Sequence, residues 1–499
     1  MPGPRWWTRP LPAIELAIHI HILIRTSFFQ HIYFFCLGLR MRSTNTPRNT
    51  RTASMGRTRL QPKALAVWAA VVAATLPSLA GAQSLNELYE AARGFDGIYL
   101  AARANADSVQ YRVAQTEALA RPSAGVKLDG GTTQTDPPNT SIKGTNSLRA
   151  ELTGKYPLFN RANAVTIEQA RKSLTLAQAD LDAAEQDLIL RVSLAYFDVL
   201  AAQDALATTR ASKAAITEQL ASAKRNFEVG TATITDTREA QARFDLATAQ
   251  ELAADNDLRT KRIALDTLVG RSGVVPRLLL TPVRLPPVSP ANAEEWVTEA
   301  DQRHPTVRRA RVAMDVAQLE TAKARAGKLP TVDALASLSS GEQRGTLAAL
   351  NRTTGNTLNG SVGVQMNWPL YTGGATDNRI SETVALEEKA RYDLEAARRG
   401  VGQGTRVAYF GLLSGLSQVQ ALEAAESSSK LALEATQLGY RVGVRVNLDV
   451  LNAQTQLFTT QRDLARARYE VLLGSLRLRQ ASGQLSATDV QMINNLLAR

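Results

Sequence analysis

Residues Tyr156-Pro157-Leu158-Phe159 recur 212 positions later as Trp368-Pro369-Leu370-Tyr371, and this repeat is the strongest indication of the fold in the 499-residue chain. One residue is then gained, and the offset stays at 213 for three further motifs: Ala195-Tyr196-Phe197 with Ala408-Tyr409-Phe410, Val229-Gly230 with Val442-Gly443, and Asp236 with Asp449. A constant register over so long a stretch indicates an internal duplication. The sequence therefore predicts two similar halves, 83–285 and 286–499, joined by the proline-rich linker Pro276–Pro290.

Each half begins with a helical segment and continues with two short strands. The helical segments, 85–121 and 294–329, end at Pro122 and Pro330, because proline stops a helix. Strands are predicted within 124–156 and 332–369, where apolar and polar residues alternate. Polar, glycine-rich loops separate the two strands of each half, so we expect one hairpin per half and four strands per chain.

Long helices follow each hairpin. No proline occurs between Pro157 and Pro276 or after Pro369, and both stretches are rich in strong helix formers. We predict helices at about 160–270 and 375–483, each turning back at a glycine, Gly230 or Gly443. The longer arm of each hairpin would reach about 100 Å, which is typical of coiled-coil packing. The predicted fold class is mainly α with a small β part.

The first 82 residues differ from the rest of the chain. Arg57, Arg59 and Lys63 precede an apolar run that ends in the small-residue pattern Ala80-Gly81-Ala82. Residues 55–82 are therefore predicted to be a secretory signal peptide, cleaved before Gln83. We interpret residues 1–54 as a disordered extension from a mis-assigned start, and the alternative is an N-terminal membrane anchor.

Composition narrows the chemistry of the body, residues 83–499. The formal charge is +12, but residues 1–82 hold ten Lys and Arg against one acid, so the body has only a small excess of positive charge. Such a balance excludes an electrostatic surface for nucleic acid. The body has no Cys and a single His, His304, which we interpret as structural. It contains no nucleotide-binding or hydrolase motif, so we expect no enzymatic activity, metal or cofactor.

Four strands per chain decide how the protein could enter a membrane. β-structure crosses a bilayer only as a closed barrel, and single-chain outer-membrane barrels have at least about eight strands. A barrel would therefore have to be shared among subunits. Aromatic residues flank the strands as an interfacial girdle would: Tyr156, Phe159, Trp368 and Tyr371. The alternative is a soluble periplasmic coiled-coil adaptor or scaffold.

These features together resemble the TolC family of outer-membrane export channels. The resemblance rests on the export signal, the duplicated strand-strand-long-helix plan, the Tyr156 and Trp368 motifs and the paired Val-Gly turns. It implies a homotrimer with a 12-stranded barrel in the outer membrane, a periplasmic helical tunnel, and a collar built from the linker and residues 484–499. Implied partners are outer-membrane lipid, a periplasmic adaptor (membrane fusion) protein and an inner-membrane ABC or proton-driven transporter. The implied function is a gated passive exit path for small molecules or for type I secreted polypeptides.

The resemblance also implies a gate at the turns between paired helices. Thr235 and Asp236 match its first position, and Tyr440 and Arg445 match the partners that hold the closed aperture. We expect Arg445 to pair with Asp236 across neighbouring helices. The alternative is that Tyr440 and Arg445 only pack on the surface.

Two further positions belong to the implied constriction. Asp449 matches its first acid, whereas Asn452 stands where the best-known pattern has a second Asp. A ring of carboxylates favours cations, so the loss of one acid per chain weakens the expected cation selectivity. Asp236 and Asp449 could also be ordinary helix caps after a glycine turn.

Overall fold

A computed structural model describes residues 82–135, 143–280, 282–283, 285–345 and 355–498. The predicted extension and all but the last residue of the predicted signal peptide lie outside the described residues. The first half contains α1 (Leu85–Arg93), α2 (Gly97–Glu117), β1 (Ser123–Thr135), β2 (Lys143–Phe159), α3 (Arg161–Glu228) and α4 (Ile234–Val269). The second half contains α5 (Ala293–Arg303), α6 (Pro305–Ala326), β3 (Thr331–Gly345), β4 (Gly355–Asn367), α7 (Ala375–Arg441), α8 (Asn447–Ala481) and α9 (Ala487–Asn494).

The duplication and the mainly helical fold are confirmed, and the long helices lie where the pattern predicts them. The 68 residues of α3 and the 67 residues of α7 each give a rod of about 100 Å. Both return helices are about half as long, with 36 residues in α4 and 35 in α8. In the described part of the chain, no helix combines the length and the apolar character needed to cross a bilayer.

The prediction of one helical segment before each hairpin is wrong, because each segment consists of two helices. Asp96 starts α2 as its N-cap, accepting a hydrogen bond from the Tyr99 main-chain N–H at 2.8 Å. Arg191 of α3 holds this carboxylate at 2.8 and 3.0 Å, and the contact keeps the pKa of Asp96 below its usual range. In the second half, Pro305 begins α6 and His304 caps it through Nδ1.

The strands form one antiparallel sheet in the order β1-β2-β3-β4. Both predicted hairpins are present, and the central pairing joins the two halves through β2 and β3. The register places Val126 beside Leu152 and Leu152 beside Leu338. The strands are longer than the alternation alone suggested, because cross-strand hydrogen bonds continue through polar positions that carry no periodic signal.

The two faces of this sheet have opposite chemistry. One face carries apolar side chains that lie open to the surroundings, with exposed fractions of 72% for Val126, 89% for Val362 and 68% for Val364. The other face carries ion pairs, such as Lys127 with Asp129 at 2.9 Å. Because the side chains of a strand alternate between faces, the register gathers these valines and leucines on one face, although Glu342 and Arg344 lie on that face near the strand ends.

The main core lies where α1, α8 and α9 pack against the middle of α3. Its fully buried side chains include Tyr89, Tyr196, Phe197, Leu472 and Leu476. The tyrosine of each repeated Ala-Tyr-Phe motif fixes the chain between the halves: Tyr196 donates to the carbonyl of Arg277 at 2.8 Å, and Tyr409 donates to that of Ala291. These contacts explain why the motif occurs in both halves.

Each return helix ends on the break between the two short helices of its own half. Gly270 and Gly483 close α4 and α8 in the left-handed conformation, both with φ +71°. A Cβ at Gly270 would lie 2.4 Å from the Phe95 ring, and one at Gly483 would lie 2.5 Å from the His304 Cα. Glycine is thus required at both ends by the backbone angle and by the close approach.

Candidate gate at the helical turns

The two turns between paired helices have nearly identical backbones. Gly230 and Gly443 both adopt φ +80°, and the space around each is open. The Thr231 N–H donates to the Asn226 carbonyl at 2.8 Å, and in the second turn the corresponding bond joins Val444 to Gly439 at 2.9 Å. The chain turns back at both glycines, and glycine is needed there for the backbone angle alone.

Asp236 lies in a capping box at the start of α4. Thr233 is the N-cap, and its hydroxyl accepts a hydrogen bond from the Asp236 N–H at 3.1 Å. The Asp236 carboxylate in turn accepts from the Thr233 N–H at 2.9 Å and from its hydroxyl at 2.7 Å. Asp236 thus takes part in a cap, although Thr233 and not Asp236 is the N-cap residue. Thr235 lies beside it with its side chain exposed.

The second turn has a different chemistry at the same positions. Val446 takes the place of Thr233, and no side chain caps α8. Arg445 pairs with Asp449 of its own turn, with 3.6 Å between Nη1 and Oδ2. Within the chain, the expected pairing of Arg445 with Asp236 is therefore wrong, because each of these side chains already has a partner at its own turn.

Polar contacts join the two turns to each other. Asn226 donates to the hydroxyl of Tyr440 at 3.2 Å. Asn447, which is almost fully buried, accepts from Gln219 and donates to the Asp236 carbonyl at 3.4 Å. Tyr440 and Asp236 are therefore both tied to neighbouring helices, by residues that the sequence analysis did not identify.

Asn452 also accepts a hydrogen bond from a residue of the first half. Arg243 of α4 donates to the Asn452 side-chain carbonyl at 3.0 Å. Arg243 forms no ion pair among the described residues, so its positive charge stays uncompensated beside the candidate constriction. The repeat could have pointed to Asn447 and Arg243. At the 213-residue offset they correspond to Ile234 and Gln456 of the other half, so these polar contacts lie where the two copies differ in sequence.

The contacts between the turns can be exchanged at low cost. Most are hydrogen bonds between neutral groups, each worth about 0.5–1.5 kcal/mol, and the Arg445–Asp449 pair is exposed and worth about 0–1 kcal/mol. Beneath them, Leu451 is fully buried against Ile216, Leu220 and Ala240. This apolar contact holds α8 on the first helix pair, beneath the polar contacts of the tip.

The four aromatic residues of the predicted girdle lie near the helical ends of the strands. All are exposed: Tyr156, Phe159, Trp368 and Tyr371. The indole N–H of Trp368 donates to the carbonyl of Lys328 at 3.2 Å. A register irregularity between Pro157 and Phe159 marks the end of the regular pairing of β2 with β3, since proline cannot donate to a ladder.

Known proteins with similar sequences are outer membrane and secretion proteins. The family model described as outer membrane efflux protein matches residues 99–271 and 296–484, one stretch in each half. The chain is 33% identical to the outer membrane protein TolC of Vibrio cholerae over 435 residues, which are 87% of this chain and 98% of that protein. It is 30% identical to the alkaline protease secretion protein AprF of Pseudomonas aeruginosa over 393 residues, which are 77% and 81% of the two chains.

Solved structures agree on the fold. The outer membrane protein VceC of Vibrio cholerae has a TM-score of 0.68 at 20% identity, and the alignment covers 80% of this chain and 96% of the VceC chain. CusC, described as forming a transmembrane channel, has a TM-score of 0.70 at 16% identity, with coverages of 82% and 95%. Because the family model matches both halves and relatives match along nearly their whole length, the chain belongs to the outer membrane efflux protein family.

Proposed function

We propose that this protein is a gated, passive exit duct through the outer membrane, built as a homotrimer for an export machine driven from the inner membrane. The observation that carries the proposal is the four-stranded sheet with an exposed apolar face and a polar, ion-paired face. Three copies would supply twelve strands, which close into a barrel wide enough to leave a lumen. The apolar face would then meet lipid and the polar face would line water.

A soluble adaptor or scaffold fits this sheet poorly. Such a protein would leave Val126, Val362 and Val364 in water on one contiguous apolar face, together with Leu128 and Leu358. Large exposed apolar patches of this kind mark membrane or protein contact surfaces. In the proposed barrel, lipid covers this face, and closure with other copies pairs the two edge strands, β1 and β4, which otherwise present open ladders.

The long helices would extend the barrel into the periplasm, with the turns at Gly230 and Gly443 at the inner end. In this arrangement Tyr440, Arg445 and Asp449 form the closed aperture. The weak contacts at the tip support a gate, because an adaptor that bound the turns could replace them without breaking the core beneath.

Transport energy would come from an inner-membrane pump, since the body carries no nucleotide-binding motif. The names of the relatives include both efflux and protease secretion, so small molecules and polypeptides are both candidate cargoes. A deletion strain separates them: sensitivity to toxic compounds indicates efflux, and loss of a secreted protein from the medium indicates type I secretion.

The first test uses the protein from residue 83 onward, extracted from membranes in detergent. We expect a particle with the mass of three chains that conducts in a planar bilayer. A water-soluble monomer or dimer without conductance would refute the shared barrel and would favour the adaptor alternative.

The gate is tested by a double variant, Tyr440→Phe with Arg445→Ser. It removes the hydroxyl that accepts from Asn226 and the guanidinium beside Asp449, so single-channel conductance should rise. Arg441→Ser is the matched control, because it removes an exposed cation from the same turn. Unchanged conductance of the double variant would exclude both residues from the gate.

A further inference from the structure

The long helices have a groove on the side that faces away from the short helices α5 and α9. On α8, Arg479 pairs with Asp489 of α9 at 2.6 Å, whereas Arg477 lies about 200° around the helix and lines the groove. On α7, Arg406 pairs with Glu294 of α5 at 2.9 Å, and Gly404 lines the groove from the opposite side. On both α7 and α8, one face contacts a short helix and the opposite face lines the groove.

The groove is about 960 Å³ in volume and is lined by residues of α3, α4, α7 and α8. Small residues of α7 and α8 make it deep: Gly404, Gly411, Gly415 and Gly474. Four basic and three acidic side chains line the same space: Lys261, Arg462, Arg466 and Arg477 with Asp198, Asp257 and Glu470. The positive charges therefore outnumber the negative ones on this face of each chain.

Among the charged side chains that line the groove, Arg477 and Asp257 are the two without an ion pair to any described residue. Lys261 is paired with Asp198 at 2.7 Å, and Arg466 with Glu470 at 2.9 Å. Arg477 has neither an ion pair nor a hydrogen bond with any described residue, and its side chain is exposed. Arg462 is paired with Asp463 at 3.0 Å, but Asp463 does not line the groove.

The same face continues towards the helical turns. Arg462 also lines a smaller cavity of about 100 Å³ together with Arg243, Thr455 and Thr459. Arg243 is the guanidinium that contacts Asn452 at the candidate constriction. Basic side chains, some of them ion-paired with acids, thus continue from the turns to the upper part of α8.

We propose that this face lines the tunnel and that its arginines form a cationic belt that binds anionic groups of the cargo. The proposal rests on the proposed function, because the belt closes only when three copies face a common lumen. Guanidinium groups bind carboxylates and phosphates in a bidentate manner, and three copies triple the excess charge of one groove. The belt would favour anionic solutes and acidic polypeptide segments over cationic ones.

The test is the reversal potential of the purified trimer in a planar bilayer under a KCl gradient, together with block by inorganic tripolyphosphate. We expect anion preference and block in the wild-type protein. In a variant that combines Arg462→Gln, Arg466→Gln and Arg477→Gln, the preference should move towards cations and the block should become about tenfold weaker. Glu470→Gln should move the preference in the opposite direction.

Arg259→Gln is the matched control, because Arg259 is an exposed, ion-paired residue of α4 that does not line the groove. It should leave both readouts unchanged. A conducting trimer whose selectivity and block are the same in wild type and triple variant would overturn the belt and leave the duct intact. Loss of the trimer in the triple variant, with Glu470→Gln still trimeric and unaltered in selectivity, would instead show that this face is a subunit contact. Absence of conductance in the wild type would refute the proposed function itself.

Discussion

Gly483→Ala is the substitution whose cost can be worked most directly from the structure. Gly483 has φ +71°, so any other residue there pays about 1–2 kcal/mol for the left-handed backbone. The new Cβ would also lie 2.5 Å from the Cα and 2.6 Å from the N of His304. Those atoms belong to the main chain at the break between α5 and α6, so relief requires the two helices to shift. Overpacking of this kind adds about 1–3 kcal/mol.

Gly270→Ala is the matched control, because it has the same φ at the equivalent position of the first half. Its Cβ would meet the Phe95 ring at 2.4 Å, but Phe95 is 57% exposed and can rotate away. Gly230→Ala adds a position where only the backbone angle matters, since the surrounding space is open.

The assay is the melting temperature of each purified variant, followed by far-ultraviolet circular dichroism. We expect Gly483→Ala to lower it the most, followed by Gly270→Ala and then Gly230→Ala. Equal melting temperatures for Gly483→Ala and Gly270→Ala would refute the argument that the fixed backbone of His304 makes the overlap more costly than the mobile ring.

The remaining predictions concern pH and the sheet. Glu320 accepts hydrogen bonds from Gln169 at 2.9 Å and from two cations, which lower its pKa to about 2. Its folded pKa is below the unfolded value of about 4.5, so this stabilisation is present above pH 4.5 and is lost as the pH falls towards 2. Glu320→Gln should lower the melting temperature at neutral pH, and the melting temperature of the variant should fall less than that of the wild type between pH 4.5 and pH 2. If both proteins lose the same amount over this pH range, other groups cause the acid sensitivity. On the sheet, Leu152→Arg should cost about 2–4 kcal/mol at the bilayer midplane and reduce the trimer recovered from outer membranes, while Thr153→Arg should be tolerated. Equal recovery of both variants would contradict the assignment of the faces.

The helical turns show why part of the candidate gate could be predicted and part could not. Gly230 and Gly443 stand out because the repeat marks them and because the turn requires a positive φ. Asn226 and Asn447 give no such signal, since their partners Tyr440 and Gln219 are more than 200 residues away. Within the chain, Arg445 pairs with Asp449, four residues further on, and not with Asp236.

The sequence by itself determined the family, the duplication, the long helices and the four strands. Each of these depends on a local or periodic signal: the 213-residue offset, helix-forming composition without proline, and the alternation of apolar residues. The predicted outer-membrane export function is supported by the same family assignment.

Which helix faces are covered and which are open follows from the tertiary contacts. The close approach of Gly483 to His304 and the groove lined by Arg477 depend on how distant helices pack. A charged residue on a long helix looks the same in sequence whether it meets the collar, as Arg479 does, or the groove. The direction in which it points is fixed by contacts with residues elsewhere in the chain, and the periodicity of the helix carries no record of them.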